Sequence, residues 1–307
     1  MGEYQESAKA HLRRLNGLIE KGSVPRIRGL YVEAAQGLER QLARAVGSGA
    51  SPFTIQKAQS MLAQARQGLV RLSVHLGAAM NEQTVIAQES SANAMIMAVK
   101  RMEKVASGAV VQLPIEQAAR FAGVVDARRT SLMSLNTRSM AKYGASVVVK
   151  VEQTIGVGLL QGLSGFEMVQ GVSEVIGGEL WRAERIARTE TAWAYNATQM
   201  DAIGATKKTF PDIMMRWVEY VADVTLAKLD ARVGDDSCAM HGQLARPGAS
   251  FGMPLVNPPN LKISPSMLGM QWTFPPNRPN DRSVLQPWRP GWGWGWELID
   301  GQRVVRK

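Results

Sequence analysis

The position of its prolines is the feature of this sequence that most constrains its fold. The chain has 307 residues and 14 prolines: Pro25, Pro52 and Pro114 lie in residues 1–204, and the other eleven lie in residues 205–307. Because a proline inside a helix removes a hydrogen bond and clashes with the preceding turn, a long helix needs a stretch without proline. The first 204 residues therefore permit long helices, whereas the remainder favours short strands and loops.

The spacing of apolar residues predicts helices over most of the first 204 residues. Between Met61 and Leu76, apolar side chains recur three, four and seven positions apart, which is the period of one helix face. The predicted helices span residues 3–21, 25–46, 53–107 (one long helix or two in series) and 114–161. In the last of these helices we expect a joint near Gly144.

Ser164 and Glu167 predict where the next helix begins. A serine followed three residues later by a glutamate has the spacing of a capping box. We expect this helix to end at Gly177 and Gly178, and a further helix to follow it and stop near Gly204. The chain up to that residue is therefore predicted to be almost entirely helical.

The stretch from Arg185 to Met200 is the centre of the predicted fold, because it has neither glycine nor proline to interrupt a helix. At about 100° per residue, Glu190 falls in the same apolar stripe as Ile186 and Trp193. A carboxylate on an apolar face needs a charged or hydrogen-bonding partner. We therefore predict that Glu190 is buried and paired, and we favour a structural tie over an active-site role.

The composition changes after residue 205, where six of the eight tryptophans lie. Residues 215–222 alternate in polarity and predict a strand, and residues 296–305 predict a hairpin with an Asp-Gly turn. We therefore predict an α+β fold. Its earlier part would be mostly helical, and its later part would contain short strands and Pro/Trp-rich loops.

The chain is basic, with a formal net charge of +10 and a pI of about 9.9. A positive net charge favours anionic partners, such as nucleic acid or an acidic protein surface. The excess is uneven: residues 1–110 hold 14 Lys/Arg against 8 Asp/Glu, residues 111–180 hold 6 against 6, and residues 181–307 hold 16 against 12, so the basic character is mainly N-terminal. Since a DNA-binding domain usually concentrates its charge more, we expect DNA contact to be weak and independent of sequence.

Cysteine and histidine are too few for a complete metal site to be read from the sequence. Cys238 is the single cysteine, so no intrachain disulfide forms, and Cys238 with His241 supplies two of the four ligands that zinc takes. The other histidines, His11 and His75, lie in the predicted N-terminal helices. No orienting Asn or Asp stands at a recognisable spacing for a Cys-His catalytic pair. We therefore expect a turn without metal, in which Asp235 and Asp236 accept hydrogen bonds from backbone N–H groups and Cys238 packs inward.

Residues 291–296 (GWGWGW) would, if extended, place three indoles on one face and three glycines on the other. Such a row can stack on nucleic-acid bases, or it can cover a small core while the glycines admit a second backbone. We favour the cover, because only Arg289 flanks the row closely.

The sequence holds no phosphate-binding loop, no dinucleotide fingerprint and no Ser/His/Asp set. No apolar run reaches the roughly 18 residues that a membrane helix needs, and the first residues lack the pattern of a signal peptide. We therefore expect no enzymatic activity, no cofactor, no signal peptide and no membrane span.

Three segments resemble, in order, the phage head morphogenesis family, the Mu F-like minor head proteins. Residues 185–196 (RIARTETAWAYN) resemble its helix signature. Residues 216–221 (RWVEYV) with 236–242 (DSCAMHG) resemble its strand and its Asp…Cys-x-x-Cys…Gly segment, and residues 275–283 (PPNRPNDRS) resemble its closing Pro-Pro-x-His-Pro-x-Cys-Arg-Cys. The motif residues that the resemblance carries over are Arg185, Arg188, Thr189, Glu190, Tyr195, Asn196, Asp236, Cys238, His241, Arg278 and Arg282.

The resemblance implies that a Cys/His set ties two loops together in related domains. This chain has His241 where the family often has a second cysteine, and it ends the closing motif with Ser283 in place of a cysteine. Cys238, His241 and Asp281 remain as metal-ligand candidates, but Arg278 would oppose a cation. We therefore predict that the two loops lie close together without metal. The expected charge pairs join Asp235 or Asp236 to Arg278 or Arg282.

The resemblance also implies a division into domains. It covers roughly residues 140–290, so we predict a mostly helical N-terminal docking region, residues 1–140, followed by an α+β Mu F-like domain, residues 141–307, with short strands and Pro/Trp-rich loops.

The resemblance also implies a function. The chain would be a minor structural and assembly protein of a phage head, located in the capsid interior at the portal vertex after assembly in the host cytoplasm, and involved in head morphogenesis, DNA packaging or ejection. Its partners would be the portal protein, other head proteins and packaged double-stranded DNA, with docking carried by the helical region, residues 1–140. The alternative is a DNA-binding protein ejected with the genome, which a salt-dependent affinity would favour.

Overall fold

The structure is a computed structural model that describes residues 2–46, 54–108, 115–219, 239–253, 263–276, 283–293, 295–299 and 302–306. This part of the chain is mostly helical, with a few short strands in small sheets, which is compatible with the predicted α+β class. None of the described helices combines the length with the apolar character that crossing a membrane requires.

The helices are α1 (Gly2–Gly17), α2 (Val24–Val46), α3 (Ile55–Ser107), α4 (Ile115–Leu160) and α5 (Gly165–Thr206). The strands are β1 (Met214–Val218), β2 (Leu244–Ala245), β3 (Phe251–Gly252), β4 (Gln271–Trp272), β5 (Val284–Trp288), β6 (Gly295–Ile299) and β7 (Gln302–Arg306). A π-helical segment, Leu18–Ser23, joins α1 to α2, and a short 3₁₀ helix, Pro265–Met267, precedes β4.

The predicted helices are present, with one difference: α1 ends at Gly17, and the π-helical segment Leu18–Ser23 continues without a break into α2. Residues 55–107 form the single long helix α3, so the alternative of two helices in series is not needed. Pro25 lies in the first turn of α2, directly after the π-helical segment. The capping box is also present: the backbone N–H of Ser164 donates to Glu167 Oε2 over 2.7 Å, and the Glu167 N–H donates to Ser164 Oγ over 3.3 Å.

Two predicted interruptions are wrong, because α4 continues through Gly144 and α5 continues through Gly177 and Gly178. A glycine weakens a helix by about 1 kcal/mol relative to alanine, and the packing of the residues around it outweighs that cost in a long buried helix. Gly144 has a packing reason of its own. A Cβ at this position would lie 2.7 Å from the Cβ of Ser73 on α3, so glycine lets the two helices approach closely.

The chain packs as two compact units built from interleaved segments. The first contains Met1–Ile19, Thr84–Ser131 and Thr189–Lys307, and the second contains Glu20–Gln83 and Leu132–Arg188. Helices α3, α4 and α5 each supply one part to each unit. The predicted division after residue 140 falls inside α4, and each unit contains residues from both sides of it.

Apart from residue 54 and residues 161–164, the described residues of the second unit are helical, and its core lies between the four helices α2, α3, α4 and α5. Two buried tyrosines bridge these helices. Tyr31 on α2 donates to the backbone oxygen of Ile176, and Tyr143 on α4 donates to the backbone oxygen of Glu179 over 3.1 Å. The largest wholly buried apolar side chains of this core are Ile27, Leu42, Met61 and Leu76.

The first unit holds the strands. A three-stranded antiparallel sheet has the order β2-β1-β5, with Met215 opposite Pro287 and Trp217 opposite Leu285. The predicted strand is confirmed over residues 215–218, and residues 220–222 lie outside the described part. The predicted hairpin is confirmed as β6 paired with β7, while its Asp-Gly turn, residues 300–301, lies outside the described part.

Gly144 and Gly156 provide a matched test of helix packing in the second unit. Gly144→Ala should lower the free energy of unfolding by about 1–3 kcal/mol, because the new methyl group overlaps Ser73. Gly156→Ala, on the same helix, places its methyl group in open space and should raise the free energy of unfolding by about 0.5–1 kcal/mol. Urea denaturation of both variants checks the pair, and an equal effect of the two changes would contradict the close approach at Gly144.

Candidate functional site

The C-terminal part of α5 is buried on nearly every side within the first unit. From Thr191 to Gln199, every residue except Trp193 is buried, and Tyr195, Asn196 and Ala197 have no exposed surface. A helix that is enclosed all round must find internal partners for its polar side chains, because water cannot reach them. This segment contains the later half of the motif that carries the family resemblance.

Asn196 ties α5 to strand β5 through its whole side-chain amide. Its Nδ2 donates to the backbone oxygens of Ala192 (3.0 Å) and Ser283 (2.9 Å), and its Oδ1 accepts the backbone N–H of Leu285 over 2.9 Å. The two hydrogens and the oxygen of the amide are therefore all used, which determines its orientation. The result is a clamp that sets where β5 begins relative to the helix.

Tyr195 connects α5 to α1 and α3 within the same unit. Its hydroxyl lies 3.1 Å from His11 Nδ1, and its backbone oxygen accepts the hydroxyl of Ser91 over 2.6 Å. Gln199, one turn further along α5, donates to the backbone oxygen of Ser91 over 2.7 Å. Three helices therefore meet at one buried network of hydrogen bonds.

Burial changes the acid–base behaviour of this network. Burial, with a smaller contribution from Arg14, lowers the pKa of His11 from its ordinary value of 6.5 to about 4. Burial also raises the pKa of Tyr195 well above its ordinary value. Both side chains are therefore neutral at pH 7, which is the state in which a hydroxyl and an imidazole can share one hydrogen bond without a buried charge.

Glu219 stands where β1 ends, and it is buried, with 1% of its surface exposed. Its Oε1 accepts the indole N–H of Trp217 over 2.5 Å and the hydroxyl of Ser283 over 2.6 Å. Its backbone N–H donates to Nδ1 of His241 over 3.1 Å. A buried carboxylate is costly unless hydrogen bonds satisfy it, and these donors do so.

The same glutamate brings together the two loops that were expected to lie close. His241 follows the loop of the Asp236 motif, and Ser283 closes the Pro-rich motif. Both contact Glu219, so the predicted proximity of the loops is confirmed for these two residues. The loop of His241 is also held to β1 by backbone hydrogen bonds, from Gly242 N to Trp217 O over 2.8 Å and from Trp217 N to Gln243 O over 2.9 Å.

The remaining members of the predicted loop site lie outside the described residues: Asp235, Asp236, Cys238, Arg278, Asp281 and Arg282. The predicted charge pairs between the loops therefore stay predictions. The same holds for the predicted absence of metal, which elemental analysis of the purified chain can test. Within the described residues no group of three or more His, Cys, Asp or Glu side chains is placed to hold an ion.

The first half of the helix motif, residues 185–190, is less buried than the second half. Arg185 stacks over the ring of Trp181, with its guanidinium carbon 4.7 Å from the ring centroid. Arg188 forms ion pairs with Glu184 over 3.4 Å and with Glu20 over 3.6 Å. A hydrogen bond from Arg28, with further attraction from Arg188, lowers the pKa of the Glu184 carboxyl. These arginines therefore act as structural cations.

The prediction that Glu190 is buried is wrong, because Glu190 is half-buried, as are Thr189, Ile186 and Trp193. Small residues at positions 183, 187, 191 and 194 form a line on α5 that is buried where Ile186, Glu190 and Trp193 are not. Sequence reasoning placed the inner face under the largest side chains. Closely packed helices select small residues for the tightest contacts, so the true inner face is rotated relative to that stripe.

The row of indoles is not an extended strand in the described residues 291–293. Gly291 and Gly293 have φ angles of +87° and +140°, which turn the chain around Trp292. Trp292 is buried, and its indole N–H donates over 3.1 Å to Glu103, which also pairs with Arg289. For Trp292 the interpretation as a cover of the core is therefore confirmed. Trp294 lies outside the described residues.

The chemistry of the site is that of structural ties. Ser283 donates to the carboxylate of Glu219, and His241 Nδ1 accepts the backbone N–H of the same residue. Glu219, which sequence reasoning did not single out, could have been noticed as a carboxylate that ends a strand of apolar and aromatic residues.

Comparison with known proteins gave no match to a protein-family model, to a curated protein or to a solved structure.

Asn196→Ala should lower the free energy of unfolding by about 3 kcal/mol, because it leaves the Leu285 N–H and the Ser283 oxygen buried without their partner. Asn93→Ala, an exposed position on α3, is the matched control and should change stability by less than about 0.5 kcal/mol. Chemical denaturation followed by tryptophan fluorescence measures both. Equal stability of the Asn196 variant and the wild type would contradict the clamp.

His11 should make the folded state sensitive to acid. Between pH 6.5 and 4 the unfolded chain binds a proton that the folded chain does not, so stability is fully present above pH 6.5 and falls as the pH drops. The expected loss from about pH 7.5 to about pH 5 is roughly 2 kcal/mol. Denaturation of His11→Asn, with the exposed His75→Asn as control, checks this: only the first change should flatten the pH profile, and parallel profiles for all three chains would contradict it.

Proposed function

We propose that this chain is a minor structural and assembly protein of a phage head. Its place would be the capsid interior at the portal vertex, and its role would be in head morphogenesis, DNA packaging or ejection. Its partners would be the portal protein and other head proteins, with packaged double-stranded DNA contacted independently of sequence. The order and spacing of the three motifs at residues 185–196, 216–242 and 275–283 underlie this proposal.

One structural observation carries the proposal further. The three motifs are separated by up to about 90 positions in the sequence, and each supplies a residue to the same part of the first unit. Asn196 from the helix motif bonds to Ser283 of the closing motif, and Glu219 of the strand motif bonds to both Ser283 and His241. Segments that only happened to resemble a family in short pieces would have no reason to contact one another. Their convergence supports reading them as one module.

The character of these contacts also favours an assembly role over catalysis. Asn196, Glu219 and Ser283 are buried, and they form hydrogen bonds with backbone groups and with other side chains of the unit. Such networks rigidify a domain and specify one arrangement of its elements. A rigid module carried on helices of 42 to 53 residues suits a protein that holds other proteins in place.

Residues 1–110 contribute to the cores of both units, so deleting them is not a suitable test of docking. Removing residues 1–110 would take away Met95, Val99 and Met102 from the core of the first unit and Ile27 and Leu42 from that of the second. Such a deletion would unfold both units, and its absence from heads would say nothing about docking. The test of the proposed function therefore uses the full chain.

The test is to purify heads and virions of the phage that encodes the chain, and to locate the chain in a cryo-electron map of the portal vertex. We expect a few copies per head, with density for the long helices at the inner face of the portal. Mass spectrometry of virions before and after DNA release then separates the two roles. Retention in the emptied head supports the assembly protein, and loss together with the DNA supports the ejected DNA-binding protein. Heads without the chain would contradict both.

A further inference from the structure

The second unit contains a groove between α2 and α3 with a volume of about 460 Å³. Its walls follow helical spacing on both sides, so each wall is one face of one helix. The lined part of α2, from Leu30 to Gln41, is roughly 16 Å long at 1.5 Å per residue. The lining residues are Leu30, Glu33, Ala34, Gly37, Leu38, Arg40, Gln41, Gly68, Arg71, Leu72 and His75.

The floor of the groove is apolar and its rim is polar. Leu38 and Leu72 are buried at the bottom, and Leu30 and Ala34 are half-buried beside them. The polar side chains of both helices stand exposed along the edges. This is the arrangement in which an amphipathic segment places its apolar side chains on the floor and its polar ones along the rim.

The rim is positively charged and its cations are available. It carries the guanidinium groups of Arg40 and Arg71 and the imidazole of His75, against the single carboxylate of Glu33. Within the part of the chain that the structure describes, neither arginine makes an ion pair, whereas Arg28 and Arg66 in the same helices do. Unpaired guanidinium groups on both sides of one groove favour a ligand that brings carboxylates.

Two glycines shape the groove for close contact. A Cβ at Gly68 would lie 2.9 Å from Leu38 Cδ1, so this glycine lets the floor form. A Cβ at Gly37 would meet no atom within 4 Å, so no contact inside the chain requires glycine there. Glycine in a helix costs about 1 kcal/mol relative to alanine. Its effect at position 37 is to leave the groove open to the backbone of another element.

We propose that this groove docks an amphipathic helix of a partner protein, whose apolar side chains lie on the floor and whose Asp or Glu side chains face Arg40 and Arg71. The identification of that partner as another head protein rests on the proposed function. The groove and the chemistry of its occupant do not, because they follow from the described residues alone.

Two other occupants fit the groove less well. Duplex DNA presents phosphates and would leave the apolar floor unfilled, and Glu33 would repel it. A second copy of this chain is unfavourable because each copy carries a net charge of +10 and like charges oppose association. An acidic amphipathic helix satisfies both the floor and the rim.

The test uses the full chain and a fluorescein-labelled peptide of about 18 residues, which is long enough to be helical in water. The peptide is built of Ala, Leu and Glu, with Leu along one face and Glu on both sides of it. A second peptide with Lys in place of Glu, and a fluorescein-labelled DNA duplex of about 20 base pairs, serve as competing probes. Fluorescence anisotropy measures each affinity. We expect saturable binding of the Glu peptide and none of the Lys peptide.

Two pairs of matched variants place the binding in the groove. Arg71→Glu reverses a rim charge, and Arg138→Glu makes the same charge change at an exposed position of α4. Gly37→Leu fills the groove, and Gly29→Leu makes the same change at an exposed position of α2 where a Cβ also meets no atom within 4 Å. We expect Arg71→Glu and Gly37→Leu to weaken the Glu peptide by about tenfold or more, with the two controls near the wild type. Circular dichroism of all four shows that they are folded.

Three results would contradict the proposed docking of an acidic helix in the groove. The first is failure of the wild type to bind the Glu peptide, and the second is equal weakening of Glu-peptide binding by Arg71→Glu and Arg138→Glu. The third is tighter binding of the DNA duplex than of the Glu peptide. If sedimentation shows that the wild type is a dimer and that Gly37→Leu is a monomer, the groove binds a second copy of the chain. That result would contradict an acidic partner helix as its occupant.

Head incorporation separates this inference from the proposed function. If heads contain the wild-type chain and incorporate Gly37→Leu equally well, the groove is not the docking surface. The proposed function would still stand. Absence of the wild-type chain from heads would overturn the proposed function, while peptide binding would still decide the groove.

Discussion

The first unit depends on the enclosure of one helix segment, residues 191–199 of α5. Because this segment has neighbours on nearly every side, each of its polar groups must be matched inside the protein. Asn196 meets that requirement for three backbone groups at once, including the N–H of Leu285 and the oxygen of Ser283 at the entrance to β5. Since β5 pairs with β1, and β1 with β2, this side-chain amide links the helix to the whole three-stranded sheet.

Glu219 extends the same principle from a helix to two loops. The resemblance implies that related domains tie these loops with a Cys/His set, and this chain lacks most of that set. A carboxylate at the end of β1 takes hydrogen bonds from Trp217 and Ser283, while its own backbone N–H reaches His241. Hydrogen bonds to a buried charge are stronger than neutral ones, so they can join two loops that have little regular structure. In this chain the described contacts between the two loops are therefore hydrogen bonds centred on Glu219.

The sequence predicted the secondary structure well where local chemistry decides it. The capping box at Ser164, proline in the first turn of α2 and the unbroken periodicity of α3 are all properties of neighbouring residues, and each is present in the structure. The predictions went wrong at Gly144, Gly177 and Glu190, where a local preference competes with packing. A glycine interrupts an isolated helix, but a partner helix that needs close approach, as Ser73 does at Gly144, makes the same glycine favourable.

The sequence by itself determined that this chain would be mostly helical, that its strands would be short and late, and which segments resemble one family. These conclusions follow from the positions of the prolines, the periodicity of apolar residues and the order of the motifs, all of which can be read from the sequence alone. The tertiary structure alone decided that α3, α4 and α5 each serve two compact units, that the inner face of α5 is its line of small residues, and that Asn196, Glu219, His241 and Ser283 form one network. The reason is physical: contacts between residues up to about 90 positions apart depend on which helix faces fill the same space, and no local rule along the sequence contains that information.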